Sequence, residues 1–364
     1  MQTITKPSSY KPPDFLKEHF DLSRVLFFDI ETTGFSAKTS SLYLIGCLYF
    51  EKGVPMIRQW FAETIQEESA LLFEFFDFMK NYDHLIHYNG SGFDIPYLMQ
   101  KCAYYKLPYT FEEIESIDLY KILSPVKSML KLENLKQKTV ESYLDIQRED
   151  LYNGGELISV YQNFLKSPSK EALELLLLHN HDDMNGLFQL SPMLAFRDFN
   201  IEHIAWDTYE IADYTSYHGT EGKEVIFHFT LSSPLPRRIS FSKQDFFLSI
   251  DKDKGRLRIK AYTGELKYFY SDYKNYYYLP AEDTAIHKSV AFYVDKDFRT
   301  RAKAANCYSR KTGIFLPQFN EIISPYFKID YFDKILYFEA CDSNLSDSSK
   351  MLSYIEHMLT YMLK

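Results

Sequence analysis

Asp29 and Glu31 close the run Val25-Leu26-Phe27-Phe28-Asp29-Ile30-Glu31. Side chains alternate along a strand, so the two acids share one face. Like charges set side by side repel unless something neutralises them. A hard cation such as Mg²⁺ does so by taking carboxylate oxygens; a solvated strand end is the plainer alternative, weakened by the apolar residues before it. Asp94 stands in Asn89-Gly90-Ser91-Gly92-Phe93-Asp94-Ile95-Pro96-Tyr97-Leu98. The Ser91-x-x-Asp94 pattern lets that carboxylate serve either a site or a helix cap. His179 and Asp183 are four apart in Leu178-His179-Asn180-His181-Asp182-Asp183 and share a helix face; an exposed ion pair on a helix turn would look the same. Asp182 is an alternative acid, ranked below Asp183 because only Asp183 meets His179 across one turn. His181 points away from that face.

Taken in order, Asp29-Ile30-Glu31-Thr32-Thr33-Gly34, Asn89-x4-Asp94 and His179-x3-Asp183 resemble the motifs of the DnaQ-like, DEDD-type 3′–5′ exonuclease superfamily. Within it the chain is similar to the YprB-like ribonuclease H-like proteins. Ile117-Asp118-Leu119-Tyr120, and Leu135-Lys136 with Val140-Glu141, resemble that subgroup too. The resemblance covers residues 23–192 and implies a ribonuclease H-like fold. It implies Asp29, Glu31, Asp94 and Asp183 as ligands of two divalent cations, which clamp the attacking and leaving oxygens of a phosphodiester. Oxygen donors suit Mg²⁺ or Mn²⁺ better than Zn²⁺. The implied products are nucleoside 5′-monophosphates released from single-stranded 3′ ends. Thr32 and Asn89 would lie against the nucleic acid, while Gly90–Gly92 either approach its backbone or only make the turn. His179 departs from both branches of the superfamily. The tyrosine-type branch has tyrosine at its position, and the histidine-type branch has histidine one residue earlier, where this chain has Leu178. An imidazole here can still accept a proton near neutral pH.

Elements must position these groups. Arg24–Ile30, Ser41–Phe50 and Val54–Phe61 have the apolar composition of strands, the last two joined at Glu51-Lys52-Gly53, and predict an antiparallel meander. Thr64–Glu67 is a capping-box pattern opening an amphipathic helix. His84–His87 is a short strand, and helix is expected from Phe93 and over Lys170–Leu190. The expected class is α/β: a mixed five-stranded sheet flanked by helices over residues 23–195, preceded by an arm over 1–22 and followed by a β-rich α+β module over 196–364. That module predicts its own meander, with turns at Asp253-Lys254-Gly255, Thr263-Gly264 and Ser271-Asp272, and a terminal amphipathic helix carrying Met351, Ile355, Met358 and Met362 on one face.

The 364 residues, 46% apolar and 25% charged, exclude a disordered, collagenous or coiled-coil chain. The net charge of −9 is uneven: residues 235–313 hold 17 basic and 9 acidic side chains. A basic block suits a nucleic-acid partner, although a mixed solvated surface would also give it. Arg299, Arg301, Lys303, Arg310 and Lys311 are the candidate phosphate contacts. The seven tyrosines between Tyr262 and Tyr278 suit either base stacking or a half-buried sheet. Cys47, Cys102, Cys307 and Cys341 lie far apart, as in a reducing compartment. The longest apolar run is too short for a bilayer and the first residues lack a signal core, so a cytoplasmic location without membrane contact is expected. A non-catalytic nucleic-acid-binding subunit of a repair or processing complex, and a structure-specific endonuclease, are the competing functions.

Overall fold

A computed structural model describes every residue except 150, 151, 153, 199–203, 217, 218 and 364. The chain divides into two compact units, Met1–Arg197 and Asp198–Lys364.

The elements of the first unit are β1 (Gln2–Pro7), α1 (Asp14–His19), β2 (Val25–Thr32), β3 (Leu42–Glu51), β4 (Val54–Phe61), α2 (Glu68–Met79), β5 (His84–His87), α3 (Asp94–Tyr105), β6 (Glu115–Asp118), α4 (Leu119–Leu123), α5 (Gln137–Tyr143), α6 (Gly154–Lys166) and α7 (Lys170–Gln189). The sheet has the order β1-β4-β3-β2-β5-β6, antiparallel from β1 to β2 and parallel from β2 through β6. It therefore holds six strands rather than five. The sixth comes from the segment expected to be an arm, whose prolines mask a strand: Gln2–Pro7 pairs along β4, and Ile4 packs with Tyr43, Phe61 and Leu176.

Period-two alternation in β2 sorts the two faces. Leu26, Phe28 and Ile30 join α2 and α3 in one core with Leu72, Phe75, Tyr97 and Leu98. Phe27 turns to the opposite face and meets Phe188 of α7, edge to face at 5.7 Å. Asp29 and Glu31 continue that face, so the strand that buries Phe27 also delivers both acids toward α7.

The second unit contains β7 (Ile204–Thr215), β8 (Glu221–Leu231), β9 (Ile239–Lys243), β10 (Phe246–Asp251), β11 (Lys254–Phe269), β12 (Tyr276–Leu279), β13 (Thr284–His287), α8 (Lys288–Ala291), β14 (Thr300–Arg301), β15 (Tyr308–Gln318), β16 (Leu336–Glu339), α9 (Asp342–Leu345) and α10 (Ser348–Leu363). The expected turn at Thr263-Gly264 does not form, because β11 runs straight through it. Lys254–Ala261 pairs with β8 and Tyr262–Phe269 with β15, so these residues mark a change of partner strand. Met351, Ile355, Met358 and Met362 of α10 are all buried.

Candidate metal centre

The middle of α7 and the first turn of α3 reach the part of β2 that carries Asp29 and Glu31. α7 starts from Ser169, whose side chain accepts the Ala172 N–H, and brings His179, Asn180 and Asp183 over the strand. His179 Nε2 lies 3.3 Å from Asp183 Oδ2 and 3.7 Å from Glu31 Oε1. One ligand atom from each of Glu31, His179 and Asp183 lies within 4.8 Å of the other two, close enough to hold one ion. α3 brings Asp94, which is buried and accepts the Ile30 N–H at 3.3 Å.

The capping alternative for Ser91 and Asp94 is not what forms. Phe93 precedes α3 without a side-chain cap, and the Ser91 N–H donates to Asp118 Oδ2 at 3.2 Å. Asp118 also accepts the Asn89 N–H at 2.9 Å and caps α4 through the Tyr120 N–H. Asn89 sits in the left-handed region at φ 59°, where asparagine is among the side chains best tolerated. His87 accepts the Gly90 N–H on Nδ1 at 3.1 Å; burial holds its imidazole down at about 4 and hence neutral. The turn before Asp94 is thus pinned from both sides.

The crowding is visible in the proton affinities. Burial first, then the charges of Asp94, Asp183 and Glu31, push Asp29 well above the usual carboxylate range, against a hydrogen bond from Asn180 that favours the charged form. Burial raises Asp94 to about 7, opposed by backbone N–H donors and reinforced by Asp118 and Asp183. Carboxylates pushed upward by burial and by one another are ones whose ionised form a cation would relieve.

Three participants carry no sequence motif. Asn180 Nδ2 donates to Asp29 Oδ2 at 3.1 Å, and Gln59 Nε2 donates to Asn180 Oδ1 at 3.0 Å. Arg148 places Nη2 2.6 Å from Asp183 Oδ1 and also pairs with the buried Glu141. Glu141 in turn fits against Gly186 of α7, where an added Cβ would lie 2.0 Å from its Oε1. Gly46, a glycine inside an apolar strand, was the available signal for the Asn180 contact, since such a position marks a close approach. The alternative acid Asp182 faces elsewhere, accepting the Glu149 N–H at 2.8 Å. Thr32 donates to the Gly34 carbonyl at 3.0 Å. A cleft of about 490 Å³ opens beside the acids, lined by Asp29, Tyr88, Asn89, Tyr120, Leu135, Lys136, Gln137 and Asp183.

Residues 26–195 match the family model RNase_H_2, of the RNase_H superfamily. The fold of the first unit is ribonuclease H-like. The match spans Asp29, Glu31, Asp94 and Asp183. Among solved structures, the chain is similar to the family B DNA polymerase from the hyperthermophilic archaeon Pyrobaculum calidifontis, at 19% identity over 47% of this chain and 24% of that one, with a TM-score of 0.39. It is also similar to E. coli Exonuclease I in complex with a 5cy-dA13 oligonucleotide, at 9% identity over 58% of this chain and 55% of that one, with a TM-score of 0.32. The chain thus spans about a quarter of the polymerase and about half of the exonuclease. No curated protein matches it. Among the described residues, no helix is long and apolar enough to cross a membrane.

The candidate phosphate contacts belong to the second unit. The Arg299 and Arg301 guanidinium groups lie over the Tyr277 ring at 4.9 and 4.7 Å, and Lys303 is exposed. Arg310 and Lys311 are already paired, with Glu265 at 3.2 Å and Glu339 at 2.6 Å. Of the seven tyrosines, Tyr262 and Tyr268 pack on Leu266 and Phe315. Tyr270, Tyr273, Tyr276 and Tyr278 pack on Ala285, Ala302 and Cys307. These six serve the cores of their sheets.

Proposed function

We propose that the ribonuclease H-like unit is a divalent-metal-dependent 3′–5′ exonuclease of single-stranded nucleic acid, of the DnaQ-like, DEDD type and similar to the YprB-like proteins. The observation that carries this reading is the convergence of Asp29, Glu31, Asp94 and Asp183 from β2, α3 and α7, where burial, reinforced by the neighbouring acids, pushes the Asp29 and Asp94 carboxyls above the usual range. The donor set fits hard cations: four carboxylates, without thiolates. Asp29, Glu31, Asp94 and Asp183 would hold two Mg²⁺ or Mn²⁺ ions, which supply Lewis-acid activation of water and of the leaving 3′ oxygen.

The chain's own groups do the rest. His179 Nε2, which lies 3.3 Å from Asp183 Oδ2, takes the proton from the attacking water. Tyr88 and Tyr120 line the cleft and offer faces for the terminal base. Lys136, Thr32 and Asn89 meet the backbone. In the second unit Arg299, Arg301 and Lys303 contact phosphates, and the paired Arg310 and Lys311 contribute less.

A labelled single strand with Mn²⁺, incubated with the native chain and with Asp29→Ala, tests the proposal. Stepwise loss of 3′ nucleotides that the substitution abolishes is expected. Degradation that persists in Asp29→Ala defeats it, and cleavage of a circular strand replaces it with an endonuclease. The second reading is a non-catalytic nucleic-acid-binding subunit, and Arg148 favours it, because its guanidinium already neutralises Asp183. Binding without degradation under Mg²⁺ and Mn²⁺ alike would select that reading.

A further inference from the structure

Residues 288–303 of the second unit carry a surface that the unit's own cores do not use. Phe292, Tyr293 and Phe298 are 77, 86 and 64% exposed. Large apolar rings are seldom left this open in one short stretch without an interaction to serve. The same stretch holds five basic side chains, Lys288, Lys296, Arg299, Arg301 and Lys303, against Asp295 and Asp297. The rings and charges are tied together: the Arg299 guanidinium donates to the Ala291 carbonyl, next to Phe292, and shares the Tyr277 ring with Arg301. Strands β12 and β14 fix that arrangement by placing Tyr277 opposite Arg301.

The partner must offer negative charge and flat apolar faces in alternation. An acidic peptide carries a flat face only where its sequence has an aromatic residue, and a nucleic-acid duplex hides its faces in the stack. A single strand supplies both, a phosphate and an unstacked base at each step. We propose that Phe292, Tyr293 and Phe298 stack bases of a single strand while Arg299 and Arg301 hold its phosphates. This rests on the nucleic-acid reading above, but on binding rather than on cleavage.

The test uses the full chain in EDTA, so that nothing is cleaved, with a fluorescent oligothymidylate of about 15 nucleotides and inorganic polyphosphate as the charge-only probe. The triple variant Phe292→Ala/Tyr293→Ala/Phe298→Ala should weaken oligothymidylate binding about tenfold or more and change polyphosphate binding less than about twofold. Arg299→Ala/Arg301→Ala should weaken both and flatten the salt dependence of log K by about 1.4. Tyr293→Trp should give an emission that oligothymidylate quenches and polyphosphate does not. Thermal melts establish that each variant is folded. Unchanged oligothymidylate affinity in the triple variant overturns the proposal, as does an equal loss for both probes. So does a native dimer that the triple variant dissociates while oligothymidylate binding persists, which would make the rings a protein interface. Cleavage under Mn²⁺ is scored separately through Asp29→Ala, so a failed platform and a failed nuclease give different results.

Discussion

Asn180 Nδ2 holds Asp29 Oδ2 at 3.1 Å from a helix that the sheet has made room to admit. Asp29, Gly46 and Gln59 lie side by side on β2, β3 and β4. A Cβ at Gly46 would stand 2.0 Å from Asn180 Oδ1. The glycine therefore opens a seat for the Asn180 amide, Gln59 fills its acceptor side, and one Asp29 oxygen is fixed for a ligand. Losing a hydrogen bond to a buried charged group costs about 1.5–3 kcal/mol. Asn180→Ala and Gly46→Ala should therefore each weaken Mn²⁺ binding on the order of tenfold or more, measured by isothermal titration. They should also move its pH dependence upward, because the hydrogen bond that favours ionised Asp29 is gone. Native Mn²⁺ affinity in both variants would remove Asn180 from the site's architecture.

Asp94 sets a pH dependence with a definite sign. Its carboxyl is raised to about 7 in the fold from an ordinary value of 3.8. Between those values the folded chain holds a proton that the unfolded chain does not. The metal-free protein should lose stability as pH rises from about 4 to about 7, each unit being worth about 1.4 kcal/mol as an upper bound. Asp94→Asn should flatten that slope and raise the metal-free Tm at pH 8. With Mn²⁺ present the native protein should gain stability across the same window, because cation and proton compete for one oxygen. Melts in EDTA and in Mn²⁺ from pH 4.5 to 8.5 decide it, and a metal-free stability that rises through this range contradicts the assignment.

Arg148 bridges Glu141, which is buried, and Asp183. Removing one partner of such a pair leaves an uncompensated buried charge, a cost of about 3–5 kcal/mol. Arg148→Ala should lower the metal-free Tm by several degrees. It should also enlarge the Mn²⁺-induced Tm increase, because Asp183 loses its competing cation. A variant whose Mn²⁺ increment equals that of the native chain would show that the arginine does not compete with metal.

What the sequence displayed was periodic or local. β2, α3 and α7, and the acids they carry, follow from alternation, from the three-to-four spacing of helices and from short motifs. Asn180, Gln59, Gly46 and Arg148 act through contacts between residues far apart in the chain. Asn180–Asp29 joins α7 to β2, and Arg148–Asp183 joins a loop to α7; neither leaves a periodic trace. β1 was hidden because an edge strand with few apolar residues looks like a leader until β4 supplies its partner. The unbroken β11 misled for the opposite reason: Thr263-Gly264 has turn composition, but the strand continues there and pairs with β15 in place of β8.

Lys101 and Glu68 bind α3, and hence Asp94 at its first turn, to the rest of the unit. Both are almost fully buried, and Lys101 Nζ lies 2.8 Å from Glu68 Oε1. Lys101 also donates to the Ser40 carbonyl at 2.6 Å. Glu68 accepts the Leu42 N–H at 2.6 Å and the Tyr105 hydroxyl at 2.7 Å. Every strong donor and acceptor of the pair is used, the condition under which a buried ion pair recovers its desolvation cost. Lys101→Met should destabilise the chain by about 3–5 kcal/mol in urea unfolding, because buried Glu68 is left without its partner. Lys101→Met/Glu68→Leu should recover only part of that loss, since no unpaired charge remains but the Ser40 carbonyl, the Leu42 N–H and the Tyr105 hydroxyl lose their partners. A single variant as stable as the native chain would mean that α3 is held by its apolar face alone, through Tyr97, Leu98 and Cys102.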